Sequence, residues 1–194
     1  MLHQTITTAL LLSLAALSSA APTSTSSDDA SKLPSRSQHA PRTTHTVVAG
    51  RGGLKFEPDN IVATPGSIVE FHFLPANHSV VESSFAKPCQ PKDHSSFYSG
   101  FFPVPAGGSK KQSDEVFQIE VRDDGKPIWF YCAQNNGRHC QSGMTGVINQ
   151  NFDKQEFSLK AHRENAKGVQ ETSGVQSYVQ GGWRIPNPQP LAGV

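Results

Sequence analysis

The stretch that decides the fold is residues 128–149, which read IWFYCAQNNGRHCQSGMTGVIN. Apolar side chains alternate at Ile128, Phe130 and Cys132, as expected of a β-strand with one buried face. A second apolar run covers residues 145–149. The loop between these two strand patterns contains a thiol, an imidazole and a thioether. The sequence therefore predicts two β-strands joined by a loop that carries side chains of the metal-ligating types.

The same alternation of apolar and polar residues recurs twice upstream. The apolar members are Val69, Phe71, Phe73, Phe117, Ile119 and Val121. Gly, Pro and Asn separate these short patterns, and no convincing helix lies between them. This organisation favours an all-β fold, an antiparallel β-sandwich.

Composition divides the 194-residue chain into segments. We expect residues 1–20 to be a signal peptide. Residues 21–44 are rich in Ser, Thr and Pro and have few large apolar side chains, which predicts a disordered leader. The predicted domain is residues 45–151, and residues 152–194 form a polar C-terminal tail with a short helix near 155–167.

The N-terminus predicts secretion. Residues 10–17 are a short apolar run, and Ser18 and Ala20 are the small residues that signal-peptidase cleavage requires. No other stretch approaches the about 20 apolar residues of a membrane span. Residues 185–190 lack the apolar tail of a lipid-anchor signal. We therefore expect a secreted, extracellular protein with no membrane span and no lipid anchor.

Charge disfavours one class of partner. The 17 basic and 16 acidic residues nearly balance, and no segment is strongly basic. Nucleic-acid binding, which needs a basic surface, is therefore not expected.

Three cysteines in a secreted chain leave one thiol without an internal partner. That thiol could pair with another molecule, stay buried and inert, or bind a metal as a thiolate. Cys132 is followed in the same loop by His139 and Met144, and His78 lies at the start of an upstream strand. Two imidazoles, one thiolate and a weak axial thioether form the ligand set of a blue-copper site.

Four short motifs carry a resemblance to a known family. They are YC at 131–132 with HCQSGM at 139–144, NHSV at 77–80, FAKPC at 85–89 and SGFFP at 99–103. On these motifs, residues 45–150 resemble cupredoxins of the phytocyanin and plastocyanin type, and particularly the secreted fungal cupredoxin-like (extracellular serine-rich) proteins.

The resemblance implies a Greek-key β-sandwich and one bound copper ion. It implies these copper ligands: His78, Cys132, His139 and Met144. It also implies a disulfide between Cys89 and Cys140, which leaves Cys132 as the free thiol. Each role has a simpler alternative, since Cys132 could be an inert core thiol, His78 could cap a strand, and Met144 could only pack.

One spacing departs from the phytocyanin pattern. Six residues separate Cys132 from His139 in this chain, where phytocyanins usually have four. Asn135, Asn136 and Gly137 are good turn formers and could bulge outward without moving His139, but the spacing alone leaves the position and solvent exposure of His139 open.

These observations lead to one main hypothesis and one rival. The first is a secreted blue-copper protein, not an enzyme, that exchanges single electrons with an unknown redox partner through a partly exposed edge of His139. The rival is an extracellular protein that interacts with a cell wall or host surface and keeps the scaffold without redox activity.

The remaining aromatic and imidazole side chains receive structural interpretations. We expect solvated histidines at His45, His72, His94 and His162. We expect packing at a sandwich edge, rather than a docking patch, for Phe97, Tyr98, Phe101 and Phe102. Asn77 begins a glycosylation sequon, and we expect it to be unmodified because a glycan would crowd His78.

Overall fold

The computed structural model describes residues 42–109, 111–123, 125–173 and 177–194. The predicted signal peptide and nearly all of the predicted leader lie outside the described residues. Within them the chain forms eleven β-strands, one α-helix and one short 3-10 helix, Gln155–Phe157. The strands are β1 (Thr44–Ala49), β2 (Phe56–Glu57), β3 (Asn60–Ile61), β4 (Ile68–Phe73), β5 (Ala76–His78), β6 (Val81–Ser83), β7 (Phe102–Val104), β8 (Glu115–Glu120), β9 (Ile128–Tyr131), β10 (Thr145–Ile148) and β11 (Trp183–Pro186), and the helix is α1 (Leu159–Lys167).

The strands pair into two main sheets. One has five strands in the order β11-β8-β4-β1-β2, and the other has four in the order β3-β10-β9-β6. Strands β5 and β7 form a separate antiparallel pair. Two pairs, β1 with β4 and β10 with β3, are parallel. These two pairs depart from the expected antiparallel pairing, because alternation shows which side chains face inward and not which strand lies alongside.

The two sheets pack face to face through their alternating apolar side chains. The ring of Phe130 in β9 lies 5.3 Å from that of Phe71 in β4 and 5.0 Å from that of Phe56 in β2. All three side chains are fully buried. The predicted all-β sandwich is confirmed, and its core is stabilised by removing these large apolar surfaces from water.

The other face of the five-stranded sheet is also covered. Glu70 and His72 lie on β4 opposite the core side chains, and both are buried. His72 Nε2 lies 2.7 Å from Glu70 Oε1, and Gln118 Nε2 donates to Glu70 Oε2 at 2.6 Å. These hydrogen bonds compensate the cost of burying the carboxyl group. The expectation that His72 is solvated is therefore wrong, because the alternation does not show that both faces of the strand are covered.

Residues 152–194 contribute both a helix and an edge strand. Ser158 Oγ accepts a hydrogen bond from the Ala161 N–H and caps α1. His162, expected to be solvated, is instead buried and stacks on Trp129 with ring centroids 4.7 Å apart. Strand β11 pairs with β8 at the edge of the five-stranded sheet. In the part of the chain that the structure describes, no helix has the length and apolar character to span a bilayer.

Arg163 joins α1 to the four-stranded sheet. Its Nη2 donates to Asp59 Oδ2 at 2.7 Å and to the Thr145 carbonyl at 3.1 Å, and its Nε donates to the Gly143 carbonyl at 3.1 Å. Because Gly143 belongs to the loop between β9 and β10, the helix is fixed to the same loop that carries His139.

Candidate metal centre

Three potential metal ligands converge at one end of the sandwich. One imidazole nitrogen of His78, one of His139 and the Cys132 sulfur all lie within 4.8 Å of one another. The Cys132 Sγ is 3.4 Å from His139 Nδ1, and the two imidazole centroids are 5.1 Å apart. The exposed fractions are 1% for His78, 0% for Cys132 and 5% for His139. The structure therefore brings together three of the four side chains that the sequence selected.

His78 is the last residue of β5, and pairing with Phe102 in β7 sets its backbone position. Neither ring nitrogen has a hydrogen-bond partner of good geometry, although both are buried. Burial lowers the pKa of His78 to about 4, with a further contribution from the nearby His139, while the Pro75 backbone opposes the shift. The imidazole is thus neutral at pH 7, and neutral imidazole is the metal-binding form.

Gly50 creates the space that the His78 ring occupies. A Cβ at this position would lie 2.5 Å from His78 Nε2, closer than any real contact. The residue also has φ +94°, which disfavours every residue type other than glycine. Gly50 is therefore needed for the imidazole to reach the site, a role that the sequence alone did not reveal.

Cys132 follows β9 directly and is the free cysteine of the described chain. Its sulfur accepts a hydrogen bond from the Ser79 N–H at 3.4 Å, and Ser79 Oγ accepts from the Ala133 N–H at 2.9 Å. Burial raises the pKa of the Cys132 thiol, while the hydrogen bonds from Gln134 and Ser79 oppose that rise. A buried thiolate here needs a cation beside it, which is what a bound metal supplies.

The six-residue spacer folds into tight turns. The Arg138 N–H donates to the Asn135 carbonyl at 2.8 Å, and the His139 N–H donates to the Gln134 carbonyl at 3.1 Å. Gly137 and Arg138 have φ values of +84° and +50°, which reverse the chain direction. The longer spacer thus returns His139 to Cys132.

His139 is more enclosed than expected. We expected a partly exposed edge, but only 5% of the residue is accessible. Burial lowers the pKa of His139 below its usual range, so this imidazole is also neutral near pH 7. The turns of the spacer and the segments packed on them provide the enclosure that spacing alone did not predict.

Met144 lies next to the other candidate ligands along the backbone. The Cys132 N–H donates to the Met144 carbonyl, and the Met144 N–H donates to the His139 carbonyl, each at 3.0 Å. Its side chain is fully buried in the same apolar core as Cys132. The role of its sulfur as a fourth metal ligand stays a prediction.

A disulfide joins Cys89 to Cys140, the residue next to His139. It ties the ligand loop to a segment 51 residues earlier in the chain. Both sulfurs are fully buried together with Tyr131. The bridge therefore braces the backbone that carries His139.

The donor chemistry of this end of the molecule fits a soft transition metal. It offers two neutral imidazoles, one of which has no hydrogen-bond partner of good geometry, together with a buried free thiol and the buried thioether of Met144. This combination matches the donor set of a type 1 copper site.

The neighbouring aromatic side chains mostly pack. Phe97, Tyr98 and Phe102 are buried, and Phe102 stacks on Phe73 with centroids 3.8 Å apart. Phe101 alone in this group is exposed, at 37%. The packing interpretation therefore holds for three of the four side chains.

No known family model matches this chain. The chain is 37% identical over 138 residues to an extracellular serine-rich protein of Arthroderma benhamiae, a match that covers 70% of this chain and 49% of that protein. It is 33% identical over 130 residues to a protein of the same fungus named "Probable GPI-anchored cupredoxin-1", covering 67% of this chain and 62% of that one. The chain thus spans about half the length of the first relative and less than two thirds of the second.

A solved structure also aligns with the chain. It is the dithionite-reduced auracyanin of the photosynthetic bacterium Roseiflexus castenholzii, at 16% identity and a TM-score of 0.38. The alignment covers 55% of this chain and 94% of auracyanin.

The second relative corrects one prediction. The expectation of no lipid anchor is wrong, because a relative with a third of its aligned residues identical is named as GPI-anchored. The lack of an apolar tail at residues 185–190 therefore does not exclude an anchor. The broader similarity stands: the chain is similar to a fungal extracellular serine-rich protein and to a fungal cupredoxin, and the predicted resemblance to fungal cupredoxin-like proteins is confirmed.

Proposed function

We propose that this chain is an extracellular type 1 copper protein that transfers single electrons. The proposed ligands are His78, Cys132, His139 and Met144. The observation that carries the proposal is the convergence of two imidazoles and the free thiol in a buried site where neither ring nitrogen of His78 has a hydrogen-bond partner of good geometry. Thiolate and thioether donors favour Cu(I), and imidazole suits both oxidation states.

The protein prepares these ligands by burial. The pKa of His78 is lowered to about 4, so its imidazole does not have to lose a proton at neutral pH before it binds metal. The pKa of Cys132 is raised by burial, so the thiol keeps its proton in the metal-free protein and releases it to solvent only when a cation binds beside it. The Ser79 N–H, 3.4 Å from the sulfur, is already placed to stabilise the negative charge.

A bound copper ion would supply reversible one-electron chemistry. The ligand backbones are held by strand pairing at His78, by the end of β9 at Cys132 and by the disulfide next to His139. A frame fixed in this way changes little between oxidation states, which favours fast electron exchange. Four protein donors leave no position for a substrate, so we propose an electron carrier and not a catalyst.

The proposal is tested by adding one equivalent of Cu(II) to the metal-free protein. We expect an intense visible thiolate-to-copper band, which Cys132→Ser removes. His94→Asn is the matched control, because His94 is an exposed imidazole outside the site, and it leaves the band unchanged. A colourless Cu(II)-treated protein with a freely titratable Cys132 thiol would contradict the proposal.

The names of the relatives support a location outside the cell. One is called extracellular and the other GPI-anchored, and both descriptions place a protein beyond the plasma membrane. Cell fractionation of the producing organism, with and without release of GPI anchors, separates free from anchored protein.

A second candidate function is an extracellular interaction protein without redox activity. The observation that favours it is the exposure of large apolar side chains at Phe101, Tyr178 and Trp183. Under this alternative, Cys132→Ser keeps any binding to cell-wall material. Under the copper proposal, the same variant loses every copper-dependent property.

A further inference from the structure

A short segment after α1 is hydrogen-bonded to the spacer that precedes His139. We call residues 169–173 the C-terminal strap. Asn135 Nδ2 donates to the Thr172 carbonyl at 3.2 Å, and Asn135 Oδ1 accepts from the Thr172 N–H at 3.1 Å. One side chain thus satisfies both backbone groups of one strap residue.

Three further contacts hold the strap at both of its ends. Arg138 Nη2 donates to the Val169 carbonyl at 3.1 Å, and the Ser173 N–H donates to the Cys89 carbonyl at 3.4 Å. Val169 packs against the buried cluster that contains the Cys89–Cys140 disulfide. Thr172, between these two ends, is 5% exposed. The strap therefore lies against both the spacer and the disulfide that braces the ligand loop.

Two of the residues that hold the strap belong to the six-residue spacer. Asn135 and Arg138 are the spacer residues that bind it, and Arg138 immediately precedes His139. Arg138 also has a left-handed backbone, with φ +50°, which costs free energy unless neighbouring contacts hold it. The long spacer thus supplies the side chains that bind the backbone of the strap.

We propose that the C-terminal strap holds the spacer closed and thereby positions His139 against Cys132. Asn135 is the positioning residue, acting through the backbone of the loop. The relevance of this closure to copper rests on the proposed function, whereas the closure itself is a property of the metal-free protein. Release of the strap opens the loop locally and exposes the otherwise buried Cys132 thiol.

The test is the rate at which iodoacetamide alkylates Cys132 in the metal-free, disulfide-intact protein, followed by mass spectrometry. Asn135→Ala removes two hydrogen bonds, so we expect alkylation about tenfold faster than in the original protein. Asn136→Ala is the matched control: Asn136 is exposed, and its hydrogen bond is made by its backbone. We expect its alkylation rate to be unchanged.

Equal alkylation rates for Asn135→Ala, Asn136→Ala and the original protein overturn the proposal. If Asn135→Ala does not fold, Asn135→Asp decides the question, since it keeps the acceptor for the Thr172 N–H and loses only the donor. A rate about threefold faster supports the strap, and an unchanged rate overturns it. Because no metal is present, these results are independent of whether the Cu(II) test of the proposed function succeeds.

Discussion

The two imidazoles of the candidate metal centre are held in different ways. His78 ends a β-strand, and the β5–β7 pairing and the space above Gly50 set its position. His139 lies in a loop, where spacer turns, a disulfide next to it and the C-terminal strap hold it. One half of the site is therefore built by strand pairing, and the other by a loop that contacts segments distant in sequence. We therefore expect a substitution in the contacts of one imidazole to disturb the position of that imidazole more than the position of the other.

Loss of the disulfide is expected to have the largest effect on stability. It removes the bridge next to His139. In the double variant Cys89→Ala/Cys140→Ala, the free energy of unfolding should fall by about 4 kcal/mol, because a closed loop of about 50 residues restricts the unfolded chain. Urea denaturation of the metal-free protein measures it. A fall of less than about 1 kcal/mol would show that strap and turns brace the loop without the bridge.

A fall in pH should lower the stability of the metal-free protein through the protonation of His78. Its pKa in the folded protein is about 4, so between pH 6.5 and pH 4 the unfolded chain binds a proton that the folded chain does not. Stability of the metal-free protein therefore falls as the pH is lowered through this window, by roughly 3 kcal/mol for His78. His162, with a pKa also lowered to about 4 by burial, adds a fall in the same direction.

Two variants show which histidine causes this pH dependence of stability. His78→Gln should flatten the curve of unfolding free energy against pH more than His139→Gln does, because burial and the nearby His139 together lower the pKa of His78 to about 4, whereas burial alone lowers the pKa of His139. Thermal or urea unfolding at several pH values provides the curve. Equal flattening by the two variants would contradict the proposed difference between the halves.

Substitution of Gly50 tests the space that His78 needs. Gly50→Ala adds a Cβ 2.5 Å from His78 Nε2 at a residue with φ +94°, and we expect about 2 kcal/mol of destabilisation together with weaker copper binding. Gly66→Ala is the control, since Gly66 has φ +85° but nothing within 4 Å of its Cβ position. Copper affinity that is equally unaffected in both variants would show that the ring does not need this space.

The smallest expected effect concerns the anchor between α1 and the ligand loop. Arg163→Ala removes hydrogen bonds to Asp59 and to the Gly143 and Thr145 carbonyls, and should lower the free energy of unfolding by about 1 kcal/mol. Lys167→Ala, which removes only an exposed pair with Glu164, should cost less than about 0.5 kcal/mol. Chemical denaturation distinguishes the two, and equal values would argue against a role for Arg163 as an anchor.

The sequence predicted the strands and their core-facing side chains better than it predicted strand pairing and the burial of polar side chains. Alternation at Phe71 and Phe130 was sufficient to identify the core, because a period of two places those side chains on one face of each strand. It could not predict that β1 pairs with β4 in parallel, since pairing depends on which edges meet. It could not predict the burial of His72 or His162 either, because each is covered by a surface distant in sequence.

The candidate site divides in the same way. The proximity of Cys132 and His139 followed from their place in one loop, and His78 was recognised by its motif. Gly50 and the strap contact of Asn135 left no sequence signal beyond a glycine-rich turn and an unusually long spacer. Contacts of this kind arise from packing between distant segments, which local patterns do not encode.

Copper K-edge X-ray absorption on protein loaded with one equivalent of copper tests the central claim most directly. We predict one short copper–sulfur bond, from Cys132, with two imidazole nitrogens from His78 and His139, and loss of the sulfur shell in Cys132→Ser. A spectrum of oxygen and nitrogen ligands alone, with no short sulfur bond in the original protein, would contradict it.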